Sequence, residues 1–346
     1  MAGKSVTIHD VAARAGVSAS TVSRVLSSAT TSIAISAETR ERVRQAAAAL
    51  DYRPNPGARA LSGKSTHLLG VITREISDPF FAELLDAISS VARERGYDLV
   101  LGNAKRDPEQ ALALRTTMLD MRYCDGILLC GDLAGSEEEK HLLARLEADR
   151  CLVLVARGSR QGRDVPSVGI DNRTGALLAL EHLQRLGHRR IACLDAGRAG
   201  DLAERLEIYR EVMEQQLGGW TGLVQLAENS FAGGYAAARQ LMFAPAAPTA
   251  LFALDDVMAV GALCAAADMG LAVPRFISIV GFDDGPVSSF VRPALTTVHQ
   301  PVRQIGEKAV ALLLSMIEGP AAPAAMQIWL PPELVVRDST AAPRLV

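Results

Sequence analysis

The chain opens with the hydrophobic spacing of three short amphipathic helices. In each of them apolar residues recur three or four positions apart, as the inward face of a helix requires. The predicted inward residues are Ile8, Val11, Ala12, Val22, Val25, Leu26, Val43, Ala46, Ala47 and Leu50. A hydroxyl side chain suited to capping precedes each helix, at Thr7, Ser18 and Ser36. The pattern therefore predicts an all-α, three-helix unit in residues 1–52.

The pattern changes after this unit. Residues 53–65 contain two prolines and two glycines, which is the composition of a linker. From residue 66 onward, short apolar runs alternate with amphipathic helices. The predicted strands are His67–Thr73, Asp98–Gly102, Gly126–Cys130, Leu152–Val155, Ile191–Leu194, Ala250–Leu254 and Ile277–Gly281. Such alternation is typical of doubly wound parallel sheets. Roughly 280 residues exceed one compact sheet, so we expect two α/β lobes, with a single eight-stranded barrel as the alternative.

Charge is distributed unevenly along the chain. The net charge is −3, but residues 1–64 carry nine basic and four acidic side chains, a net charge of +5, which leaves −8 for the remainder. Phosphate neutralisation needs local rather than total positive charge. The basic head indicates a nucleic-acid partner for that part of the chain, with a merely solvated basic helix as the alternative.

Several classes of protein are not supported by the sequence. No apolar run approaches the roughly 20 residues that span a bilayer, and the N-terminus lacks the pattern of a signal peptide. We therefore expect a cytoplasmic protein with no membrane partner. The five cysteines are scattered without a C-x-x-C pair and are interpreted as reduced core thiols. No zinc-protease, nucleophile-elbow or dinucleotide-binding motif occurs, so we expect no metal, no cofactor and no catalysis.

The second predicted helix has the composition of a helix that reads DNA. Such a helix places its N-terminal residues against base edges in the major groove, which suits short polar side chains and one long basic one. The candidate DNA-binding residues in this part of the chain are Thr7, Ser18, Ala19, Ser20, Thr21, Ser23 and Arg24. On this segment alone, an ordinary helical hairpin is the alternative.

Longer stretches of sequence resemble the lactose-repressor (LacI) family of bacterial transcriptional regulators. In the head these are VTIHDVA (6–12), AGVS (15–18), TVSRVL (21–26), SxETRxRV (36–43) and LxYRPN (50–55). In the remainder they are DPFFAELL (78–85), CDGIL (124–128), GIDN (169–172), LGHRRI (186–191), GFDD (281–284), LTTV (295–298) and VRDST (336–340). The resemblance covers nearly the whole chain.

This resemblance implies a helix-turn-helix headpiece and a two-lobed body similar to the sugar-binding proteins of the bacterial periplasm. The expected boundaries are a headpiece at 1–52, a hinge at 53–65 and a body at 66–346. Three strand crossings would join the lobes, near Ser167, Val298 and Gln327. The first lobe would comprise about 66–167 and 299–327, and the second about 168–298 and 328–342.

The resemblance also assigns roles to the hinge. The segment that begins at Asn55 would form a helix on DNA, with Asn55 and Arg59 as further contacts and Leu61 as an apolar wedge in the minor groove. The sequence departs from the family in two places. Pro56–Gly57 stands where a bulkier apolar residue usually follows the proline, and the loop at 28–34 is about three residues longer than expected.

Three polar residues, Arg205, Asp283 and Asp255, are expected to bind a small-molecule effector. Arg205 resembles the family's effector-binding arginine, whose fork suits paired hydroxyls or a carboxylate, with a surface salt bridge as the alternative. Asp283 follows a predicted strand and would join Arg205 in holding a polyol. Asp255 replaces a typical asparagine, which favours a ligand rich in hydroxyls or positively charged. Asn229 replaces a frequent aromatic residue and so removes a platform for a flat base.

Phe80 and Phe81 open a helix at the expected cleft edge and would supply stacking surface, with a core role as the alternative. The residues at positions 255 and 229 favour a carbohydrate-like effector over a purine. The resemblance implies a homodimer with the helix Phe80–Arg95 in its interface. The dimer is expected to bind a pseudo-palindromic, double-stranded operator and to repress transcription. A periplasmic-type sugar-binding transport protein is the main alternative, and an α/β enzyme the second.

Overall fold

The chain divides into two compact units, Met1–Thr66 and His67–Val346. The computed structural model describes residues 6–26, 35–52, 65–121, 123–132, 141, 151–158, 165–197, 200–215, 223–244, 247–319 and 326–344. Four features expected from the sequence lie outside the described residues, namely the loop at 28–34 and the hinge residues Asn55, Arg59 and Leu61.

The first unit contains the three predicted helices, α1 (Ile8–Ala15), α2 (Ala19–Leu26) and α3 (Ala37–Ala49). The predicted caps are confirmed, because the hydroxyls of Thr7, Ser18 and Ser36 each accept a hydrogen bond from the backbone N–H three residues further on. The Asp10 carboxylate in turn accepts the N–H of Thr7, which completes a capping box. A small core buries Val11, Ala12, Ala15, Val22, Val25, Val43, Ala46 and Ala47.

The second unit begins with a lobe built on a parallel sheet. Its strands are β1 (Leu68–Thr73), β2 (Asp98–Asn103), β3 (Gly126–Cys130), β4 (Leu152–Val155), β5 (Ser167–Ile170) and β11 (Gln327–Leu330). Within the described residues their order is β11-β5-β4-β3-β1-β2, and every pair is parallel. The helices are α4 (Pro79–Glu94), α5 (Pro108–Arg115), which continues as a π-helical turn (Thr116–Asp120), and α11 (Val302–Glu318). Because helices cover both faces, the central strands are buried on both sides.

The second lobe repeats this architecture. Its strands are β6 (Ile191–Asp195), β7 (Leu223–Leu226), β8 (Ala250–Ala253), β9 (Ser278–Asp283), β10 (Thr296–His299) and β12 (Glu333–Val335). Its helices are α6 (Asn172–Arg185), α7 (Asp201–Glu214), α8 (Phe231–Met242), α9 (Asp256–Asp268) and α10 (Val287–Phe290). In the part of the chain that is described, the strand order is β12-β10-β9-β8-β6-β7, with β12 antiparallel to β10 and all other pairs parallel.

The chain passes between the lobes three times, after β5, β10 and β11. Two separate sheets exclude the eight-stranded barrel that the sequence left open, because a barrel closes a single sheet on itself. Strands β5 and β11 belong entirely to the first sheet, so two passages follow Ile170 and Leu330. These positions are three residues later than the crossings expected near Ser167 and Gln327.

The cysteines differ in their surroundings. All five lie within the described ranges, and none of them is disulfide-bonded. Burial raises the pKa of Cys124 and Cys130 to about 12, as expected for core thiols. Cys264 is exposed on α9, so its interpretation as a core thiol is wrong. Among the described helices, none has the length and apolar character needed to cross a membrane.

Candidate functional site

Hydroxyl side chains cluster at the start of α2 in the first unit. The Ser18 hydroxyl accepts a hydrogen bond from the Thr21 N–H at 3.1 Å. It also lies 2.8 Å from the Ser20 hydroxyl and 2.9 Å from the Thr21 hydroxyl. Ser18 and Ser20 are exposed. The cap fixes where the helix begins, and therefore which of these groups face outward.

The remaining candidates of the first unit fall on different sides of α2. Ser20 and Arg24 are four residues apart and share one face, whereas Val22 and Val25 are buried on another. Ala19 packs against the small core, so its side chain is only partly available to a partner. Ser23 and Arg24 are half-buried, and Thr7 is exposed with its hydroxyl 2.7 Å from the Asp10 carboxylate. Of the seven candidate contacts in this unit, Thr7, Ser18 and Ser20 are thus exposed, and the other four are partly buried.

In the second unit, charged side chains follow the carboxyl ends of strands in both lobes. Arg74 follows β1, while Asp132 and Arg157 lie two residues beyond β3 and β4. In the other lobe, Asp255 lies two residues beyond β8 and Asp283 ends β9. All five are at most 8% exposed. Ligands of open α/β sheets bind outside the carboxyl ends of the strands, which makes the cleft between the lobes the candidate binding site.

Arg205 on α7 is held in the cleft by contacts with several elements. Its side chain is buried, so the alternative of a surface salt bridge is wrong. Nε donates to Asn172 Oδ1 at 2.9 Å, and Nη1 donates to the carbonyl oxygen of Leu254 at 2.7 Å. The guanidinium carbon lies 3.6 Å from the centroid of the Phe282 ring. These contacts fix the plane and direction of the fork.

Asp283 brings a carboxylate beside this arginine. Its Oδ1 lies 3.6 Å from Arg205 Nη1 and accepts a hydrogen bond from Gln300 Nε2 at 2.5 Å. Asp283 has φ +119° and Asp284 has φ +59°, a region that residues with a side chain rarely adopt. Backbone strain of this kind concentrates at binding sites. Burial and the neighbouring Asp255 raise the pKa of Asp283.

Asp255 forms a group of acceptors with Asn229. Its Oδ1 caps α9 by accepting the Val257 N–H at 2.7 Å, and its Oδ2 accepts from Asn229 Nδ2 at 3.4 Å. In the described part of the chain, Asn229 Oδ1 is buried without a hydrogen-bond partner. Burial, followed by repulsion from Asp78, raises the pKa of Asp255 to about 7. The free Asn229 oxygen beside the Asp255 carboxyl group suits a ligand that donates hydrogen bonds.

Arg74 is the main donor on the side of the first lobe. Its Nη2 donates to Asp78 Oδ2 at 3.1 Å. Its Nε and Nη1 are buried and find no hydrogen-bond partner among the described residues. Burial lowers the pKa of Arg74, but the carboxylates of Asp201 and Asp78 outweigh that effect, and the net shift is upward. Arg74 is therefore a buried cation with two unused donors facing carboxylates of both lobes.

The two phenylalanines do not present the open stacking surface that the sequence predicted. Phe80 and Phe81 belong to the hydrophobic core, with their rings edge to face and their centroids 5.2 Å apart. The guanidinium carbon of Arg74 lies 4.7 Å from the centroid of the Phe81 ring. The core role, which the sequence left as the alternative, is the one observed, because a guanidinium already covers the ring that is next to the cleft.

Carboxyl groups outnumber guanidiniums among the described cleft residues. The buried guanidiniums are those of Arg74, Arg157 and Arg205, and the carboxylates are those of Asp78, Asp132, Asp201, Asp255 and Asp283. Such a set is rich in hydrogen-bond acceptors and suits a ligand that is rich in hydroxyls or carries a positive charge. Among the described side chains, no group of three or more His, Cys, Asp or Glu is arranged to hold a metal ion.

The cleft contains three polar residues that the sequence singled out and several that it did not. Arg205, Asp255 and Asp283 all belong to the second lobe. The missed residues are Arg74, Asp132, Arg157, Asp201 and Gln300. Three of these lie within two residues of the end of a predicted strand, which is the signal that would have found them.

Comparisons with known proteins agree with this architecture. A family model described as "Bacterial regulatory proteins, lacI family" matches residues 7–55, and one described as "Periplasmic binding protein-like domain" matches residues 180–340. The transcriptional repressor PurR of Escherichia coli O139:H28 is 35% identical over 319 residues, which cover 90% of each chain. The transcriptional repressor CytR of Escherichia coli K12 is 34% identical over 346 residues, which cover 97% of this chain and 96% of CytR.

A solved structure is similar over the same length. The crystal structure of the lac repressor dimer bound to operator and the anti-inducer ONPF superposes with a TM-score of 0.84. The sequence identity is 31%, and the match covers 98% of this chain and 100% of the other.

Proposed function

Since the chain belongs to the LacI family of bacterial regulatory proteins, we propose that it is a transcriptional repressor. Its affinity for operator DNA is controlled by a small molecule bound between its two lobes. The observation that carries the proposal is the presence, in one chain, of a capped helix-turn-helix and of a two-lobed body with a buried polar cleft. DNA binding in turn calls for a cytoplasmic location.

The exposed side of α2 is the proposed reading surface. Ser18, Ser20 and Thr21 supply short donors and acceptors at the start of the helix, where a recognition helix meets base edges. Arg24, one turn beyond Ser20, supplies the fork that suits guanine. A homodimer presents two such helices, and so binds a pseudo-palindromic site.

The cleft is the proposed effector site, with Arg205, Asp255 and Asp283 as contacts. Arg74 is added to this set because its Nε and Nη1 lack partners within the described residues. Arginine donors from both lobes and carboxyl acceptors from the second lobe match the hydroxyls of a carbohydrate-like ligand.

A ligand in such a cleft acts on DNA binding through the lobes. It favours the lobe arrangement that it contacts best, and the spacing of the two headpieces changes with that arrangement. A ligand that favours the DNA-bound arrangement is a corepressor, and one that favours the other is an inducer.

A sugar-binding transport protein is not favoured, because it needs no DNA-binding head, whereas residues 7–55 match the family's regulatory-protein model. An enzyme is not favoured by the relatives either, since those compared are transcriptional repressors.

The proposal is tested by mixing the full-length protein with a library of genomic fragments of its source and sequencing the retained ones. We expect enrichment of a few fragments that share a pseudo-palindrome, together with a thermal shift by a neutral sugar in a screen that includes sugar acids and nucleobases. Retention of all fragments in proportion to their abundance, in the presence and absence of the screened compounds, would refute it.

A further inference from the structure

The N-terminus of α7 is capped from the other lobe. Its cap position is Gly200, which has no side chain to offer and adopts φ +72° and ψ −128°. The backbone N–H of Asp201, the first residue of the helix, donates instead to Asp132 Oδ2 at 3.1 Å. Asp132 follows β3 in the first lobe, whereas α7 belongs to the second. A carboxylate at a helix N-terminus satisfies an otherwise unpaired N–H and opposes the helix dipole.

The capping carboxylate is held in place within its own lobe. Arg157 Nη2 lies 3.3 Å from Asp132 Oδ1, and both side chains are 2% exposed. Arg157 Nη1 also donates to the backbone carbonyl of Gly131 at 3.2 Å. The guanidinium therefore ties the ends of β3 and β4 together and aims the carboxylate across the cleft.

Two glycines allow the lobes to approach this closely. A Cβ at Gly158 of the first lobe would lie 2.7 Å from the carbonyl carbon of Gly200. A Cβ at Gly200 would overlap the Asp132 carboxylate. Any larger residue at either position would push the lobes apart. The contact therefore requires a residue without a side chain at both positions.

The capped helix also carries residues that face the effector site. Asp201 Oδ2 lies 3.4 Å from Arg205 Nη2 one turn further along, and Arg205 Nη1 lies 3.6 Å from Asp283. A shift at the first turn of α7 therefore moves the guanidinium that is proposed to hold the effector.

We propose that Asp132 is a positioning residue, which caps α7 across the cleft and so couples closure of the two lobes to the placement of Arg205. The effector part of this inference rests on the proposed function, whereas the cap between the lobes does not. Neither Asp132 nor Arg157 was found by sequence reasoning, and neither belongs to the proposed set of effector contacts.

Hydrogen exchange of the full-length protein, followed by mass spectrometry, tests the cap directly. In Asp132→Ala, peptides covering 200–206 should exchange about fivefold faster than in the parent, because the first N–H of α7 has lost its acceptor. Asp132→Asn keeps an acceptor in the same place and should restore most of the protection. If the carboxylate acted only through its ion pair with Arg157, the asparagine would not restore this protection.

Asp107→Ala is the matched control. Asp107 lies in the same lobe and caps its own helix, α5, by accepting the Glu109 and Gln110 N–H groups. This variant should speed exchange in the first turn of α5 and leave 200–206 unchanged. If Asp132→Ala does not fold, Asp132→Ser replaces it, because its shorter side chain withdraws the acceptor.

The proposal would be overturned if residues 200–206 of Asp132→Ala exchanged at the rates of the parent. It would also be overturned if Asp107→Ala accelerated exchange in α7 by the same factor. Either result would leave operator binding as an independent question, because the exchange measurement needs neither DNA nor effector. Conversely, a protein without operator preference would refute the proposed function and leave the cap intact.

Discussion

Individual side chains in the cleft are of two kinds. Arg205 is held by Asn172, Leu254 and Phe282 before any ligand arrives. Arg74 and Asn229 are buried with polar atoms that find no partner among the described residues. Held groups set the geometry, while groups with unused capacity are those that gain most when a ligand supplies hydrogen bonds.

Asp283 belongs to the first kind and should be required for the effector response. Asp283→Ala removes the carboxylate next to Arg205 and the acceptor of the Gln300 amide. We expect loss of the thermal shift caused by the effector, with operator affinity within about twofold of the parent. The readouts are thermal shift and gel retardation, with exposed Asp268→Ala on α9 as the control. An unchanged shift would move the effector site elsewhere.

Arg24 should act at the level of base recognition. Arg24→Ala is expected to weaken specific operator binding by about 1–3 kcal/mol, while non-specific binding falls much less. Fluorescence anisotropy with the operator and with a scrambled duplex at one salt concentration separates the two effects. Equal losses on both duplexes would make Arg24 a phosphate contact instead.

One physical reason explains why some cleft residues were not predicted from the sequence. Arg205 and Asp283 stand within recognisable patterns, so their chemistry was visible before the fold was known. Asp132 and Arg157 gain their roles from each other, 25 positions apart, and from a helix in the opposite lobe. Pairing of this kind depends on which strand ends meet in space, which no local pattern records.

At the scale of elements, the strongest patterns were the most reliable. Each capped helix of the first unit and each long buried strand forms where its pattern predicted, because capping and burial act locally. The hydrophobic pattern did not predict β5, β7, β10, β11 and β12, of which β5, β10 and β11 lie at the strand crossings expected from the resemblance. β7 is a half-exposed edge strand and β12 has three residues, so neither shows the apolar run of a central strand.

A buried histidine, His188, holds the C-terminal segment against the second lobe. His188 Nδ1 lies 2.9 Å from the Thr249 hydroxyl, and Nε2 lies 3.0 Å from the Ser278 hydroxyl and 2.9 Å from the carbonyl oxygen of Ala341. These contacts tie the C-terminal segment to β9. Burial lowers the pKa of His188 below its usual value of 6.5.

This lowered pKa predicts the direction of a pH effect on stability. Below about pH 6.5 the unfolded chain takes up a proton that the folded chain resists, so the contribution of His188 to stability falls as the pH drops. Urea unfolding of the parent and of His188→Gln at pH 5.5 and pH 7.5 measures it. The parent should lose more of its unfolding free energy on acidification than the variant. Equal losses would contradict the prediction.

At the scale of the whole molecule, residues 53–65 join the two units. The proposed effect of a ligand on DNA binding must therefore be transmitted through this expected hinge. The hinge lies outside the described residues, so its expected role rests on the resemblance of the sequence to the family. If Leu61 is the wedge, Leu61→Ala should reduce operator bending and weaken specific binding by a few kcal/mol at most. Circular-permutation mobility of the bound operator reports the bend, with Leu61→Met as the conservative control. An unchanged bend in Leu61→Ala would eliminate the wedge.

In the proposed function, occupancy of the cleft and binding of the operator are linked in one molecule. Linkage is reciprocal, so a ligand that changes the operator dissociation constant by a given factor must have its own dissociation constant changed by the same factor when operator is bound. The most direct measurement is a titration of operator binding at increasing concentrations of the sugar found in the thermal-shift screen, repeated as a ligand titration with and without operator. We expect equal factors, of about 5 to 150, in the two experiments. An operator dissociation constant that stays the same at saturating ligand would contradict the proposed function.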